Sequence, residues 1–203
     1  MARHDDDHEH GHEHDEELDE LDEQELAEER EHALRRQLAL SQVRQYGDAV
    51  LRMRAGEVDA FDEELARLGE RMLGVMHDAD GIGLAANQVG ILRRVFVFND
   101  EGEDRVIVNP SITRSGGELE TSEEGCLSLG PVRVPVERPL EVTLEGVDVA
   151  GKPVKLELEG LAARVAQHEL DHLDGTLIID RTDAESRREA LARLRPRLVL
   201  SRG

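Results

Sequence analysis

Apolar residues recur every three or four positions in three stretches of the chain, a pattern typical of helices that bury one face. The stretches run from about Phe61 to Ala79, from Leu161 to Leu173 and from Ala184 to Arg195. The first stretch places five large apolar side chains on one helical face: Leu65, Leu68, Met72, Val75 and Met76. The sequence therefore predicts three helices, and the methionines of the first are expected to fill the core rather than to bind a ligand.

Between the first two helices, short segments that are either continuously apolar or alternate apolar and polar residues are bounded by turn residues, a pattern typical of strands. Four such segments form two predicted hairpins, residues 92–98 with 105–109 and residues 140–147 with 153–158. Residues 117–124 are predicted to be extended. Residues 132–136 form a short strand that Pro135 confines to a sheet edge or a loop, because proline lacks the N–H of a central strand.

Hairpins lying between helices indicate an α+β fold. We expect antiparallel strands packed around a central helix, residues 161–173, followed by a C-terminal helix. The length of 203 residues suits one folded domain with an appended segment.

The appended segment is residues 1–31, which consist largely of His, Asp and Glu. They contain 16 acidic residues against two arginines, a net charge of −14 out of −21 for the whole chain. We expect a disordered tail here, because so little apolar surface cannot compensate for the entropy lost on ordering. The tail could capture metal ions transiently, but a solubilising role is the favoured interpretation. Its five histidines are His4, His8, His10, His12 and His14.

The rest of the chain is only mildly acidic, with 30 acidic and 23 basic residues. An acidic protein with three Phe, one Tyr and no Trp lacks the basic footprint and the stacking aromatics of a nucleic-acid reader. The single cysteine precludes an intrachain disulfide, which fits a reducing compartment. We recognise neither a signal peptide nor a membrane span, and we expect a soluble, cytoplasmic protein.

The strongest chemical motif is HELDH, residues 168–172, within the second predicted helix. Residues four apart lie on one helical face, so His168 and His172 can bind the same metal ion. Glu169 could then accept a proton from a water on that ion. Two unrelated histidines on a solvent-facing helix would give the same sequence. However, the apolar residues Leu161 and Val165 precede this motif on the helix and favour a metal site.

Two other segments could complete such a site. Glu123–Ser128 (EEGCLS) contains Cys126, whose thiolate could be a third ligand, although a lone cysteine is more often a small buried apolar residue. Residues 81–90 (GIGLAANQVG) combine glycines that allow close backbone approach with Gln88, an uncharged donor that could face an oxyanion. Read alone, this segment is equally compatible with an ordinary turn that carries a surface glutamine.

Taken together, the three segments resemble the peptide deformylase family, whose signature is GxGLAAxQ, EGCLS and QHExDHLxG in that order. This chain reads GIGLAANQ, EGCLS and QHELDHLDG in the same order. The resemblance covers about residues 44–183, so residues 32–203 are expected to form the deformylase domain. It implies hydrolysis of the N-terminal formyl group of newly synthesised polypeptides, with release of formate.

The resemblance also implies a role for each matching residue. The metal ligands would be Cys126, His168 and His172. Glu169 would be the general base and acid, while Gln88 and the backbone N–H of Leu127 would stabilise the oxyanion. The substrate would be bound by eight residues: Ile82, Gly83, Leu84, Glu124, Gly125, Arg133, Leu161 and Val165.

The family further implies Fe(II) as the native metal, with Zn(II) or Ni(II) able to occupy the same site. The softness of the thiolate and imidazole ligands is compatible with both iron and zinc, so it does not distinguish between them. The expected partners are nascent formyl-methionyl polypeptides. Association with the ribosome would suit such a substrate, although no basic docking patch is obvious and the arginines of Arg187–Arg197 suit a solvated helix face.

Two other functions compete with deformylation. A metallopeptidase of the HExxH type would cut internal peptide bonds, but it would more often take its third ligand from a downstream His or Glu. Activity on N-blocked peptides without a formyl group would favour it. A metal-handling protein would depend on the His-rich tail, so loss of function on deletion of residues 1–31 would favour that interpretation.

Overall fold

A computed structural model describes the backbone of residues 10–194 and the side chains of residues 24–194. Within this part the chain has four α-helices and one antiparallel sheet, so the α+β class is confirmed. The helices are α1 (His10–Gln42), α2 (Glu63–Asp78), α3 (Gly160–Leu173) and α4 (Ala184–Leu194). Helices α2, α3 and α4 match the three that apolar periodicity predicts, to within two residues at each end.

The sheet has five strands in the order β1-β2-β3-β4-β5. They are β1 (Gly83–Ala85), β2 (Val95–Asp100), β3 (Glu103–Gly125), β4 (Arg133–Val147) and β5 (Pro153–Glu159). Both predicted hairpins are present, because β2 pairs with β3 and β4 pairs with β5. Glu101 and Gly102 connect the first hairpin at φ values of 49° and 94°, the positive values that a tight two-residue turn requires.

Strands β3 and β4 are longer than the alternation pattern predicts. β3 joins two predicted segments into one strand, and β4 continues through Pro135 and Pro139. Because β5 pairs only with Glu141–Val147, the first half of β4 has β3 as its one strand neighbour within the described sheet. That edge position accommodates Pro135 as expected. β1 lies in a segment whose sequence indicates only a turn.

Helix α1 departs from the expectation of disorder for residues 1–31, since the structure has a continuous helix from His10 onward. Its side chains from residue 24 to residue 38 are all exposed, and Ala39 is its first buried residue. A helix satisfies its own backbone hydrogen bonds, so it can form without a packed face. Disorder of residues 1–31 in solution stays a prediction, and the five tail histidines lie outside the described side chains.

Strand β2 is buried on both faces and thereby determines where two helices pack. Val95 and Val97 join the apolar cluster built around α2, whereas Phe96 and Phe98 join the cluster that includes α3. Alternate residues of a strand point to opposite faces, so α2 and α3 lie on opposite sides of β2. Burial of each Phe contributes about 1.5–3 kcal/mol, which holds α3 firmly against the sheet.

Within residues 10–194, no helix combines the length and the apolarity that crossing a bilayer requires.

Candidate metal centre

The lone thiol and two imidazoles lie together in the structure, although 46 residues separate Cys126 from His172 in sequence. The Sγ atom of Cys126 is 3.2 Å from Nε2 of His172. Metal-binding atoms of Cys126, His168 and His172 all lie within 4.8 Å of one another. The structure therefore brings together the three residues that the motifs indicate as ligands.

Local backbone geometry presents the thiol to the helix. Cys126 lies where β3 ends and a 3-10 turn, Leu127–Leu129, begins. Gly130 follows at φ 58° and ψ −130°, a conformation that glycine adopts readily because it has no Cβ. The chain thus turns back into β4 directly after the cysteine. On α3, the rings of His168 and His172 are one turn apart, with centroids separated by 5.0 Å.

A buried carboxylate orients one of the histidines. Oε2 of Glu124 lies 3.1 Å from Nδ1 of His168, which leaves Nε2 of that ring for a metal ion. Arg138 donates to both oxygens of Glu124, at 2.6 and 3.0 Å, and to Asp171 at 2.9 Å. Arg164 adds a hydrogen bond of 2.9 Å to Glu124. These buried charges are mutually paired, as such charges must be in a protein interior.

The sequence motifs did not indicate that Arg138, Arg164 and Asp171 form a buried ionic network with Glu124. Asp171 lies inside HELDH, at a position for which the motif assigns no function. Arg164 lies four residues before His168, among the buried apolar residues Ala163, Val165 and Ala166, and a charge at that position was the available signal. Arg138 lies in β4 outside every motif, so nothing in the local sequence marked it.

The two glutamates near the site have opposite pKa shifts. Burial opposes ionisation of Glu124, but hydrogen bonds from His168 and Arg138 outweigh it and lower its pKa to about 2. Burial raises the pKa of Glu169 to about 7, against the opposing charge of His168. Glu124 therefore stays ionised, while Glu169 can gain or lose a proton near neutral pH, as a proton-transfer catalyst must.

The imidazoles also differ. Burial lowers the pKa of His172 well below its usual range, which favours the neutral form that binds metals. Burial acts in the same direction on His168, but its hydrogen bonds with Cys126 and Glu124 outweigh it and raise the pKa. Metal binding at a protonated imidazole releases the proton, so affinity at this site depends on pH.

Glu169 faces β1 across a space that only a glycine leaves open. A Cβ atom at Gly83 would lie 2.5 Å from Oε1 of Glu169 and 2.8 Å from Cγ1 of Val165. Glu169 is 3% exposed, and its Oε2 has no hydrogen-bond partner within the described residues. A buried carboxyl oxygen without a partner is costly, so this group is available to a ligand in the cleft that it lines.

Gln88 is held with its donor group toward the thiol. The backbone N–H of Ala85 donates to Oε1 of Gln88 at 2.8 Å, which identifies the other end of the amide as Nε2. Nε2 lies 3.2 Å from Oγ of Ser128 and 3.7 Å from Sγ of Cys126. The prediction that Gln88 could offer an uncharged donor at the site therefore agrees with its position.

A cleft of about 570 Å³ leads to this cluster. Seven of the eight predicted substrate-binding residues line it: Ile82, Gly83, Glu124, Gly125, Arg133, Leu161 and Val165. Leu84 does not, because its side chain is fully buried in the core around α2. Its neighbour Gly83 faces the cleft, and successive strand residues point to opposite sides. The prediction that Leu84 binds substrate is wrong for its side chain. Arg36 of α1 also lines the cleft, and no motif indicated it.

One thiolate and two imidazoles at these separations fit a divalent transition-metal ion. Three such ligands beside a buried carboxyl of raised pKa, on an α+β scaffold, define a metal-dependent hydrolase. Residues 40–188 match the family model described as polypeptide deformylase. The chain belongs to the polypeptide deformylase family, and the resemblance found from its three motifs is confirmed.

Individual relatives agree with this family. The chain is 46% identical over 162 residues to peptide deformylase 1 of Corynebacterium efficiens, covering 78% of this chain and 96% of that protein. It is 50% identical over 139 residues to the peptide deformylase of Thermotoga neapolitana, covering 68% and 85%. Among solved structures, the Synechococcus elongatus peptide deformylase in complex with actinonin has 44% identity and a TM-score of 0.71, covering 74% of this chain and 84% of that one.

Proposed function

We propose that this chain removes the N-terminal formyl group from formyl-methionine of newly synthesised polypeptides, by hydrolysis that releases formate. The observation that carries the proposal is the convergence of Cys126, His168 and His172 beside the buried carboxyl of Glu169. Membership of the polypeptide deformylase family supplies the reaction, since the chain's relatives are named peptide deformylases.

The substrate binds in the cleft as an added strand. β1 is the first strand of the described sheet and pairs with β2, so its other edge can accept an extended peptide. Backbone groups of Ile82, Gly83 and Gly125 bind the peptide backbone. Ile82 and Leu161 are 49% and 64% exposed, so a methionine side chain that packs against them removes apolar surface from water.

The metal ligands are Cys126, His168 and His172, and a divalent ion held by them supplies Lewis acidity and an activated water near neutral pH. Glu169 takes the proton of the attacking water and later gives it to the leaving amine as the formyl C–N bond breaks. A pKa of about 7 suits both transfers at cellular pH.

Two donors stabilise the oxyanion. One is Nε2 of Gln88, whose amide is held by the N–H of Ala85. The other is the N–H of Leu127, which begins a 3-10 turn and so has no acceptor inside that turn. Removal of one such donor typically costs about 2.7–4 kcal/mol of transition-state stabilisation.

The proposal extends to the metal and to the setting of the enzyme. Fe(II) is the native ion, as the family resemblance implies, with Zn(II) or Ni(II) as substitutes. The mixed thiolate and imidazole set suits all three ions and does not by itself choose among them. Metal analysis of protein purified without oxygen tests this. Association with ribosomes is tested by cosedimentation. A cytoplasmic location is inferred from the free cysteine and from a substrate that is a newly made chain.

Residues 32–203 form the catalytic domain, with α3 as the central helix around which the strands pack. The contacts of α3 with β1, β2 and β4 support this arrangement. Residues 1–31 form an appended acidic segment that the reaction does not require.

Formate release from a formyl-methionyl peptide by the metal-loaded full chain tests the function directly. An N-acetyl peptide of the same sequence is the matched control, and cleavage inside that control peptide would support a metallopeptidase instead. Deletion of residues 1–31 should leave turnover complete. Loss of function on that deletion would support metal handling by the tail.

A further inference from the structure

We propose that Arg36 of α1 selects substrates that carry an acidic side chain two or three residues after the formyl-methionine. The inference rests on the proposed function of the cleft and names a recognition residue outside the segment that defines the family. The family match begins at residue 40, whereas Arg36 lies before it and lines the cleft.

Asp80 holds Arg36 in the wall of the cleft. Nε of Arg36 lies 2.9 Å from Oδ2 of Asp80, and Nε2 of His32 lies 2.9 Å from Oδ1 of the same carboxylate. Asp80 has a φ of 56°, which turns the chain from the end of α2 into Gly81–Gly83. Helix α1 is thereby attached to the segment that ends at Gly83, which faces the carboxyl of Glu169.

Arg36 retains the capacity to bind a second carboxylate. A guanidinium has five N–H donors, while Asp80 offers two oxygens and shares one of them with His32. The side chain of Arg36 is 46% exposed, so a ligand can reach it. Arg138 and Arg164 differ, because their side chains are only 6% and 10% exposed and bind protein carboxylates. The planar fork of arginine suits a carboxylate in two-point contact.

The dimensions of the cleft determine which substrate residue meets Arg36. The formyl group must lie at Glu169, which faces Gly83. Extended chain advances about 3.3 Å per residue, and the three residues from Gly83 to Asp80 include a turn, so Asp80 lies at most about 10 Å along the wall from Gly83. A peptide alongside this wall therefore places its second or third residue after formyl-methionine beside Arg36. Exposure rises in the same direction, from 3% at Glu169 to 47% for the side chain of Asp80.

Two other exposed charged residues line the cleft. Glu123 and Arg133 also line the cleft, from β3 and β4, and together they contribute one charge of each sign. The arginine paired with Asp80 is Arg36, so its guanidinium supplies the attraction for an acidic side chain at that position. Because this pair is half exposed, the preference should weaken as salt screens it.

The test measures kcat/KM of the metal-loaded full chain on formyl-methionyl peptides that differ by Asp or Asn at the second or third following position. The wild type should prefer the Asp peptide by about two- to fivefold at low ionic strength, the range of a half-exposed ion pair. This ratio should fall to about one in Arg36→Gln. In Arg36→Glu it should invert, so that the Asn peptide is preferred.

Arg35→Gln is the matched control, because Arg35 is exposed on the same helix and does not line the cleft. It should keep the wild-type ratio. A wild-type ratio of one at both positions, or an unchanged ratio in Arg36→Gln, would overturn the inference while deformylation itself continued. Absence of formate release from the Asn peptide by the wild type would instead contradict the proposed function, and this inference with it.

Discussion

The Sγ atom of Cys126 lies 3.2 Å from Nε2 of His172, at the point where the end of β3 meets α3. Interpretation of three separate motifs as one metal site requires this contact, since a thiol far from both imidazoles could not share an ion with them. Substitution of these three residues or of their neighbours should therefore change activity, metal binding or stability.

Replacement of Glu169 by alanine should abolish deformylation and leave metal content unchanged, because Glu169 is the proposed proton-transfer group and is not one of the three grouped ligands. General acid–base catalysis typically contributes about 10²–10⁴-fold, which is the expected loss in kcat. Formate release and metal analysis on the same sample measure both effects. Glu70→Ala, on the exposed face of α2, is the control. Normal turnover in Glu169→Ala would contradict the general-base assignment.

Cys126→Ser should weaken metal binding or change which ion is retained, because a neutral hydroxyl is a poorer ligand than a thiolate for a soft transition metal. Retention of metal after dialysis against a chelator, compared between variant and wild type, measures the effect. Unchanged metal content together with unchanged kinetics would remove Cys126 from the ligand set.

Gly83→Ala should reduce activity severely while the protein stays folded. The new Cβ would lie 2.5 Å from Oε1 of Glu169, so the carboxyl must move from its place beside the cleft. Gly74→Ala is a matched control, because Gly74 lies in α2 with no atom within 4 Å of an added Cβ. That control should stabilise the protein by about 0.5–1 kcal/mol and keep full activity. Wild-type kinetics in Gly83→Ala would show that the close approach has no catalytic importance.

Arg138→Gln should lower the free energy of unfolding by about 3–5 kcal/mol, because it leaves Glu124 and Asp171 buried without their shared cation. Urea unfolding of the metal-free proteins measures the change. Arg67→Gln removes a cation whose partner, Glu63, is exposed on α2, and it should leave the midpoint close to wild type. Equal effects of the two substitutions would mean that the buried network does not stabilise the fold.

Stability should also depend on pH through Glu124. Its pKa in the folded protein is about 2, below the ordinary value of 4.5, so its contribution is fully present above pH 4.5. That contribution is lost as the pH falls from about 4.5 toward 2. The decline in unfolding free energy over this window should be less steep in Glu124→Gln than in the wild type. Identical slopes would exclude Glu124 as a source of acid sensitivity.

Much of the fold could be predicted from local pattern. Helices α2, α3 and α4 each bury one face, so their apolar periodicity is visible without knowledge of their partners. The continuity of β4 through Pro135 could not be predicted, because it depends on where β5 stops pairing. Strand β1 is only three residues long, and its pairing with β2 is what distinguishes it from a turn.

The candidate site, like the fold, could be predicted from the sequence only in part. The motifs indicated the ligands and the catalytic carboxyl, whereas Arg138 and Arg164 carried no motif. Their importance comes from the burial of Glu124, which a sequence pattern does not express. Leu84 follows Gly83, which lines the cleft, and only the orientation of β1 shows that the Leu84 side chain faces the core.

The sequence by itself determined the kinds of ligand and the sharing of one helical face by His168 and His172, because helix geometry is set by residues four apart. Only the tertiary structure decided that Cys126 reaches those imidazoles, that Gly83 makes room for Glu169, and that α1 brings Arg36 to the cleft. These relationships depend on packing between elements far apart in the chain, and such packing is specified by the whole core rather than by any one segment.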